Sequence, residues 1–257
     1  MTVAAQRESQ TTGPSFEVAS IKRTVPAQHQ RTGFLPGPTR FTAIDVPAAA
    51  LIGFAYRGVM DEMRGVPEWS KDHYDVEAPV APGTTPDQRA LMVRNLLVER
   101  FHLAIHFVTE EHDVLALVRT LPDATPRGLR SVVADCDAIA AAGRPPQPLP
   151  SSERDEMPPC GAFDAGRMIR SGGLPLKYLA DRIRIYVGRQ VVDDTGLTGN
   201  FAFTLKFSPN RPGWPEPTDE YPELATALRD QLELKLVPKK ANVNVLVVDR
   251  FERPTDD

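Results

Sequence analysis

The chain has 257 residues, 41% hydrophobic and 25% charged, with a formal net charge of −4. These are the proportions of a globular protein, and the acidic balance argues against nucleic-acid binding, which needs surplus Lys and Arg to neutralise phosphate. No stretch approaches the ~20 apolar residues of a transmembrane helix, and 25 prolines, against roughly 13 at average usage, mark a loop-rich chain.

In chain order, residues 1–14 are polar and read as a disordered N-terminus. They hold no apolar h-region, so the chain reads as one whose signal peptide is absent or removed. Phe16–Arg23 alternates apolar and polar residues and predicts a strand at a sheet edge. Gly33–Thr39 predicts a turn and Arg40–Val46 a second strand. Pro47 opens a predicted helix over Ala48–Tyr56, and Tyr74–Ala78 predicts a strand. Thr85, Pro86 and Gln88 form a capping-box signature ahead of a helix whose apolar face is Ala90, Val93, Leu97 and Phe101. Leu103, Ile105 and Phe107 predict one strand and Val114–Val118 another, joined as a hairpin. After a Pro-rich stretch over 120–165, Pro175–Val187 predicts a helix and Phe201–Phe207 a strand. A proline-rich loop over Ser208–Pro222 precedes a helix at Glu223–Leu232. Leu234–Val237 and Val243–Val248 predict a closing hairpin, and 252–257 is a charged tail.

Cys136 and Cys160 are the two cysteines. No CxxC pair and too few soft ligands exist for a zinc site. No histidine follows His112, so a thiol–imidazole pair has no downstream partner in sequence. The plainest reading is one disulfide stapling the Pro-rich stretch, with two inert thiols as the alternative. A staple of that span stabilises by roughly 3–4 kcal/mol in the chain-entropy description, and it implies an oxidising compartment, secreted or periplasmic.

The two halves resemble each other. At a shift of 131 residues, Val93, Leu97, Phe101, Leu103 and Ile105 meet Leu224, Leu228, Leu232, Leu234 and Leu236. At the same shift Val114–Leu117 meets Val245–Val248. A shift of 128 puts Val46-Pro47 on Leu174-Pro175, and 127 puts Tyr74–Ala78 on Phe201–Leu205. The expected fold class is α+β, with two similar small lobes at 15–119 and 166–251, each with two helices on a short mixed sheet. The disulfide-stapled insertion at 120–165 would cover one lobe or the junction.

Two resemblances follow. The LPLKYLADRI helix, GRQVVDDTGLTGNFAFTL, the ELATALRDQL helix and the closing pair of strands resemble the short N-terminal domain of secretins and TonB-dependent transducers. That implies binding to other proteins in the bacterial envelope. The whole chain resembles the soil-associated family of exported bacterial proteins of unknown function. FEVASIK (16–22), RFTAIDV (40–46), GVPEWSKDHYDVEA (65–78), LLVERFHLAIHFVTEE (96–111), Pro-Cys-Gly (159–161), VVDDTGLTGNFAFTL (191–205) and VNVLVVDRFERPT (243–255) carry it. This second resemblance supplies no catalytic residues.

GxSxG, P-loop, GxGxxG, HExxH and EF-hand patterns are absent from the sequence. His102 and His106 share a face of the predicted strand, roughly 13 Å apart at ~3.3 Å per residue. That is too far to share a metal whose donors stand near 2 Å. His106, Glu110 and Asp193 are the polar residues to test for acid–base work, although Asp193, beside Asp194 and Thr195-Gly196, also suits a turn. No metal, cofactor or nucleic acid is expected. The favoured function is a non-catalytic envelope module binding a protein, peptide or surface polymer, by strand addition at a sheet edge. The alternative is an enzyme or small-molecule binder with a cleft between the lobes.

Overall fold

The computed structural model describes residues 6–7, 13–24, 32–35, 37–57, 59–141, 157, 159–164, 166–209 and 221–254. The expectations for residues 1–5 and 8–12 of the N-terminus, the loop at 210–220, prolines 145, 146, 148 and 150, and the last three residues lie outside these. The chain is mixed α+β and divides into two compact units. The first is Met1–Glu111, Asp137–Pro145 and Asn242–Asp257; the second is His112–Cys136 and Pro146–Ala241.

The first unit opens with β1 (Gln6–Arg7), β2 (Ser20–Arg23), β3 (Gly33–Leu35) and β4 (Arg40–Pro47). The strand at β2 starts four residues later than the alternation suggests, because Phe16–Ala19 is irregular. α1 (Ala48–Ala55) follows Pro47 directly; β5 (Glu62–Arg64), a 3-10 turn at Glu68–Lys71 and β6 (His73–Pro79) come next. β2, β6, β4 and β3 form an antiparallel sheet in that order. α2 (Pro86–Phe101) begins where the capping box predicts: Gln88 N–H donates to the Thr85 hydroxyl at 3.2 Å, and Thr85 N–H to the Gln88 side chain at 2.9 Å. Ile21, Leu51, Ile52, Tyr74, Leu97 and Phe101 are buried in its core, together with Leu246, Val248 and Phe251 from the end of the chain.

β7 (Ala104–Arg119) is one strand of 16 residues, and β13 (Leu234–Arg250) one of 17. The two expected hairpins do not exist. The charged runs TEEHD and PKKAN interrupt the apolar pattern, but no residue within either strand has the positive φ that tight hairpin turns require. His102 is also not on a strand. It caps α2 in the left-handed region at φ 50.

The second unit contains β8 (Arg130–Val132), β9 (Ala162–Asp164), β10 (Met168–Leu174), α4 (Leu176–Val187), β11 (Val191–Asp193), β12 (Asn200–Lys206) and α5 (Leu224–Leu232). The short helix α3 (Cys136–Ala141) starts at its edge. β8, β12, β10 and β9 form a sheet in that order. The stretch 120–165, expected as an insertion, therefore supplies both outer strands of this sheet. Cys136 and Cys160 are joined in a disulfide, with Cα atoms 5.5 Å apart. Its core holds Ile169, Leu176, Leu179, Ile183, Leu205, Phe207 and Leu228.

Several features recur in both units. The strand order β2-β6-β4-β3 has its counterpart in β8-β12-β10-β9. The register of β4 slips between Ala43 and Val46, that of β10 between Gly172 and Leu174. Asp45 at φ 53 and Gly173 at φ 128 sit at these bulges. His102 and Glu233, at φ 50 and 52, cap α2 and α5. β13 pairs in parallel with β5 through Val245–Val247, and β7 with β11 through Leu115–Leu117. Glu252 N–H reaches the Phe101 carbonyl at 2.8 Å, and Thr120 N–H the Glu233 carbonyl at 2.8 Å.

Candidate functional site

The polar residues singled out from the sequence are engaged in separate local pairs. On β7, the His106 Nδ1 stands 2.9 Å from both carboxylate oxygens of Asp249. Glu110, four residues further along the strand, takes a two-pronged grip from Arg64, each nitrogen at 3.0 Å from its own oxygen. Such fork-to-carboxylate pairing is geometrically specific, but the pair is exposed and its ion-pair energy is small. These contacts are made to two different residues, Asp249 and Arg64. In the second unit, Asp193 closes a turn: its carboxylate accepts from Thr195 N–H at 3.1 Å and Thr195 hydroxyl at 2.7 Å. Thr195 in turn accepts from Leu197 N–H at 3.2 Å, and Asp194 pairs with Lys239 at 2.6 Å. Among the described residues no three His, Cys, Asp or Glu side chains group to hold a metal ion.

One polar cluster escaped sequence reasoning. His73 Nδ1 stands 2.8 Å from the Asp45 carboxylate, Asp45 N–H donates to Asp75 at 2.8 Å, and the Thr24 hydroxyl donates to the same Asp75 oxygen at 3.0 Å. An imidazole held by a carboxylate beside a left-handed backbone has the composition of an acid–base site. The second unit gives it a structural explanation. There the corresponding bulge is braced by Ser171, whose hydroxyl accepts from Gly173 N–H at 3.2 Å and Leu174 N–H at 2.9 Å and donates to the Phe201 carbonyl at 2.8 Å. Both sets satisfy backbone groups that a bulge takes out of the ladder.

The Tyr186 hydroxyl, on α4, donates to Asp164 of β9. Burial first, and the Asp164 carboxylate second, push its phenol above the usual tyrosine range. Tyr186 is thus a hydrogen-bond donor at all ordinary pH and no base.

A concave surface lies elsewhere in the first unit. The irregular segment Phe16–Ser20 runs beside the last turns of α2 and leaves a groove of about 500 Å3, within the volume range of ligand sites. Asn95, buried on α2, anchors the segment by donating to the Pro14 carbonyl at 3.0 Å. Phe16 tucks against Phe41, ring centres 5.6 Å apart. Leu96 and Ala19 give the groove an apolar floor, Glu17, Glu99 and Arg100 a charged rim. Val18 stands at its edge 70% exposed. The strand pattern over Phe16–Arg23 assigns Val18 to a sheet face, whereas Phe16–Ala19 is irregular and Val18 faces out.

A family model, described as a protein of unknown function (DUF3738), matches residues 49–251. No curated protein and no solved structure matches the chain.

Proposed function

The chain belongs to the DUF3738 family, and we propose that it is an exported, non-catalytic module that binds an extended segment of a partner protein. The groove between Phe16–Ser20 and the end of α2 carries this reading. It is open, with an apolar floor and an exposed valine at the rim. Two carboxylates against one guanidinium on its rim favour a segment with an apolar side chain beside a Lys or Arg. Among the described residues β2, which continues directly from the groove-lining segment, ends the strand order of its sheet, and strand addition is the mode such a neighbour suits. His106, Glu110 and Asp193 are each held in local ion pairs or turns, which favours binding over turnover.

The chain is, on this reading, an internal duplication of one α+β lobe, akin to the secretin-type short N-terminal domain. The paired strand orders, bulges and left-handed helix caps support it. The Cys136–Cys160 disulfide supports a secreted or periplasmic location, and no described helix is long and apolar enough to cross a membrane.

Selection of a random displayed peptide library on the oxidised protein tests the reading. Enriched peptides should pair an apolar residue with Lys or Arg, and Val18→Glu and Glu99→Lys should each weaken their binding. Both sites are exposed, so both variants should stay folded. Peptides that bind these variants unchanged, or turnover of a defined substrate abolished by one point substitution, would sink it.

A further inference from the structure

The groove of the first unit lies between a helix end and the segment that leads into an outer strand. The second unit has the same seam, built differently. Arg23 of β2 pairs with Tyr74, and Ser131 of β8 with Phe201; a shift of 127 aligns Tyr74 with Phe201. Counting back from these pairs sets Leu129 on Ile21, both buried. Gly128 then falls on Ser20 and Arg127 on Ala19. On the helices, the shift of 131 sets Gln231, Leu232 and Glu233 on Arg100, Phe101 and His102. Glu233 and His102 are both left-handed caps.

In the second unit the seam is shut. Gly128 lies so close to the last turn of α5 that a Cβ there would run into the Gln231 carbonyl group and the Leu232 Cα. Only glycine permits that approach. Arg127 fastens the lead-in to the helix cap: its backbone N–H at 2.9 Å and its guanidinium at 2.7 Å both donate to the Glu233 carboxylate. In the first unit each part of this closure is exchanged. Ser20 carries the Cβ that Gly128 lacks, Ala19 has no side-chain donor, and the cap is an imidazole. His102 faces Glu252 instead, at 3.9 Å. Ala19 and Ser20 stand across the groove from Leu96 and Arg100, with about 500 Å3 between. Phe16 on Phe41 and Pro14 on Asn95 fix the segment from its other end.

We propose that Ala19, Ser20 and His102 hold this groove open and make the first unit the binding lobe, while Arg127, Gly128 and Glu233 close the same seam in the second. The inference rests on the reading of the groove as a peptide site and sharpens it. The partner segment enters against the last turn of α2, where Arg127-Gly128 pack on α5 in the other unit. A lead-in able to pack onto α2 would have to be lifted before each binding event, and affinity would fall with the fraction of open molecules.

Grafting the closure tests it, with Ala19→Arg, Ser20→Gly and His102→Glu combined in the full oxidised chain. Amide hydrogen exchange reads the seam without a ligand. The N–H of residue 19, given a cap carboxylate to bond, should exchange at least about tenfold more slowly than in the unaltered chain. Peptides selected on the unaltered chain should bind the graft at least about tenfold more weakly. On the unaltered chain itself, amide shifts caused by those peptides should centre on Ala19, Ser20, Glu99 and Arg100. Shifts centred on Arg127, Gly128 and Gln231 would overturn the lobe assignment whether or not the graft folds. A folded graft in which residue 19 exchanges as before would overturn the account of the seam, even with peptides bound. A library that yields no peptide, with residue 19 protected in the graft, would support the account of the seam and sink the peptide reading alone.

Discussion

At Asp45 the backbone stands at φ 53, and at Gly173, which fills the matching bulge, at φ 128. The first conformation is open to a short polar residue at a cost; the second is close to glycine-only. A Cβ on Gly173 would also lie 2.9 Å from the Val132 side chain. Gly173→Ala should therefore cost about 2–4 kcal/mol, while Asp45→Gly should change stability by less than about 1 kcal/mol, strain relief offsetting the lost His73 contact. Urea unfolding midpoints of the two variants check the contrast. Glu233 supplies a pH-dependent case. Arg127, through its backbone N–H at 2.9 Å and then its guanidinium at 2.7 Å, holds the Glu233 carboxyl below the usual range. A carboxyl depressed on folding stabilises the native state above its unfolded pKa and loses that contribution as pH falls through its folded pKa. Glu233→Gln should thus be less stable than wild type at neutral pH. The gap should close as pH falls below about 4.5, read from thermal midpoints across pH.

Elements at this scale follow local rules where hydrogen bonds are local. α2 starts at Thr85 because a hydroxyl and a glutamine satisfy two end-of-helix N–H groups within four residues. Leu97 and Leu228 occupy corresponding faces of α2 and α5, and both are fully buried. Leu97→Ala and Leu228→Ala should each cost about 2–5 kcal/mol. Amide exchange should show the first loosening the core of Tyr74 and Phe101, the second that of Ile183 and Phe207. An effect of either spread evenly through both cores would contradict the assignment of the two leucines to separate hydrophobic clusters.

For the whole molecule, each unit is completed by a strand end from the other half of the sequence. Asn242–Asp257 belongs to the first unit, and His112–Arg119 to the second. Leu246, Val248 and Phe251 are buried in the first core, and burial of such side chains is worth roughly 1.5–3 kcal/mol each. Truncation before Asn242 should therefore unfold the first unit, seen as loss of dispersed amide signals from residues 40–101. A chain cut there that keeps those signals would refute the assignment. The disulfide spans a sequence separation of 24 within the second unit. Replacing both cysteines by serine should cost about 3.5 kcal/mol in the chain-entropy description, or roughly 7–14 °C in Tm for a chain of this size, by calorimetry under oxidising conditions.

The sequence by itself determined what is settled within a dozen residues. The capping box placed α2, the paired prolines Pro47 and Pro175 stood at the starts of α1 and α4, and the apolar spacing picked out the faces of α2 and α5. The two cysteines, lacking other ligands or partners, pointed to their own pairing. Tertiary structure alone decided the rest. TEEHD and PKKAN look like turns because charge breaks the apolar period, yet strand continuity depends on hydrogen bonds to neighbours far away in the chain. The same holds for β8 and β9, recruited from a Pro-rich stretch into a sheet. The groove lined by Arg130, Arg170 and Thr204 is the extreme case. Arg130, Arg170 and Thr204 have no spacing that marks them in one dimension, and only cross-strand register sets them on one face.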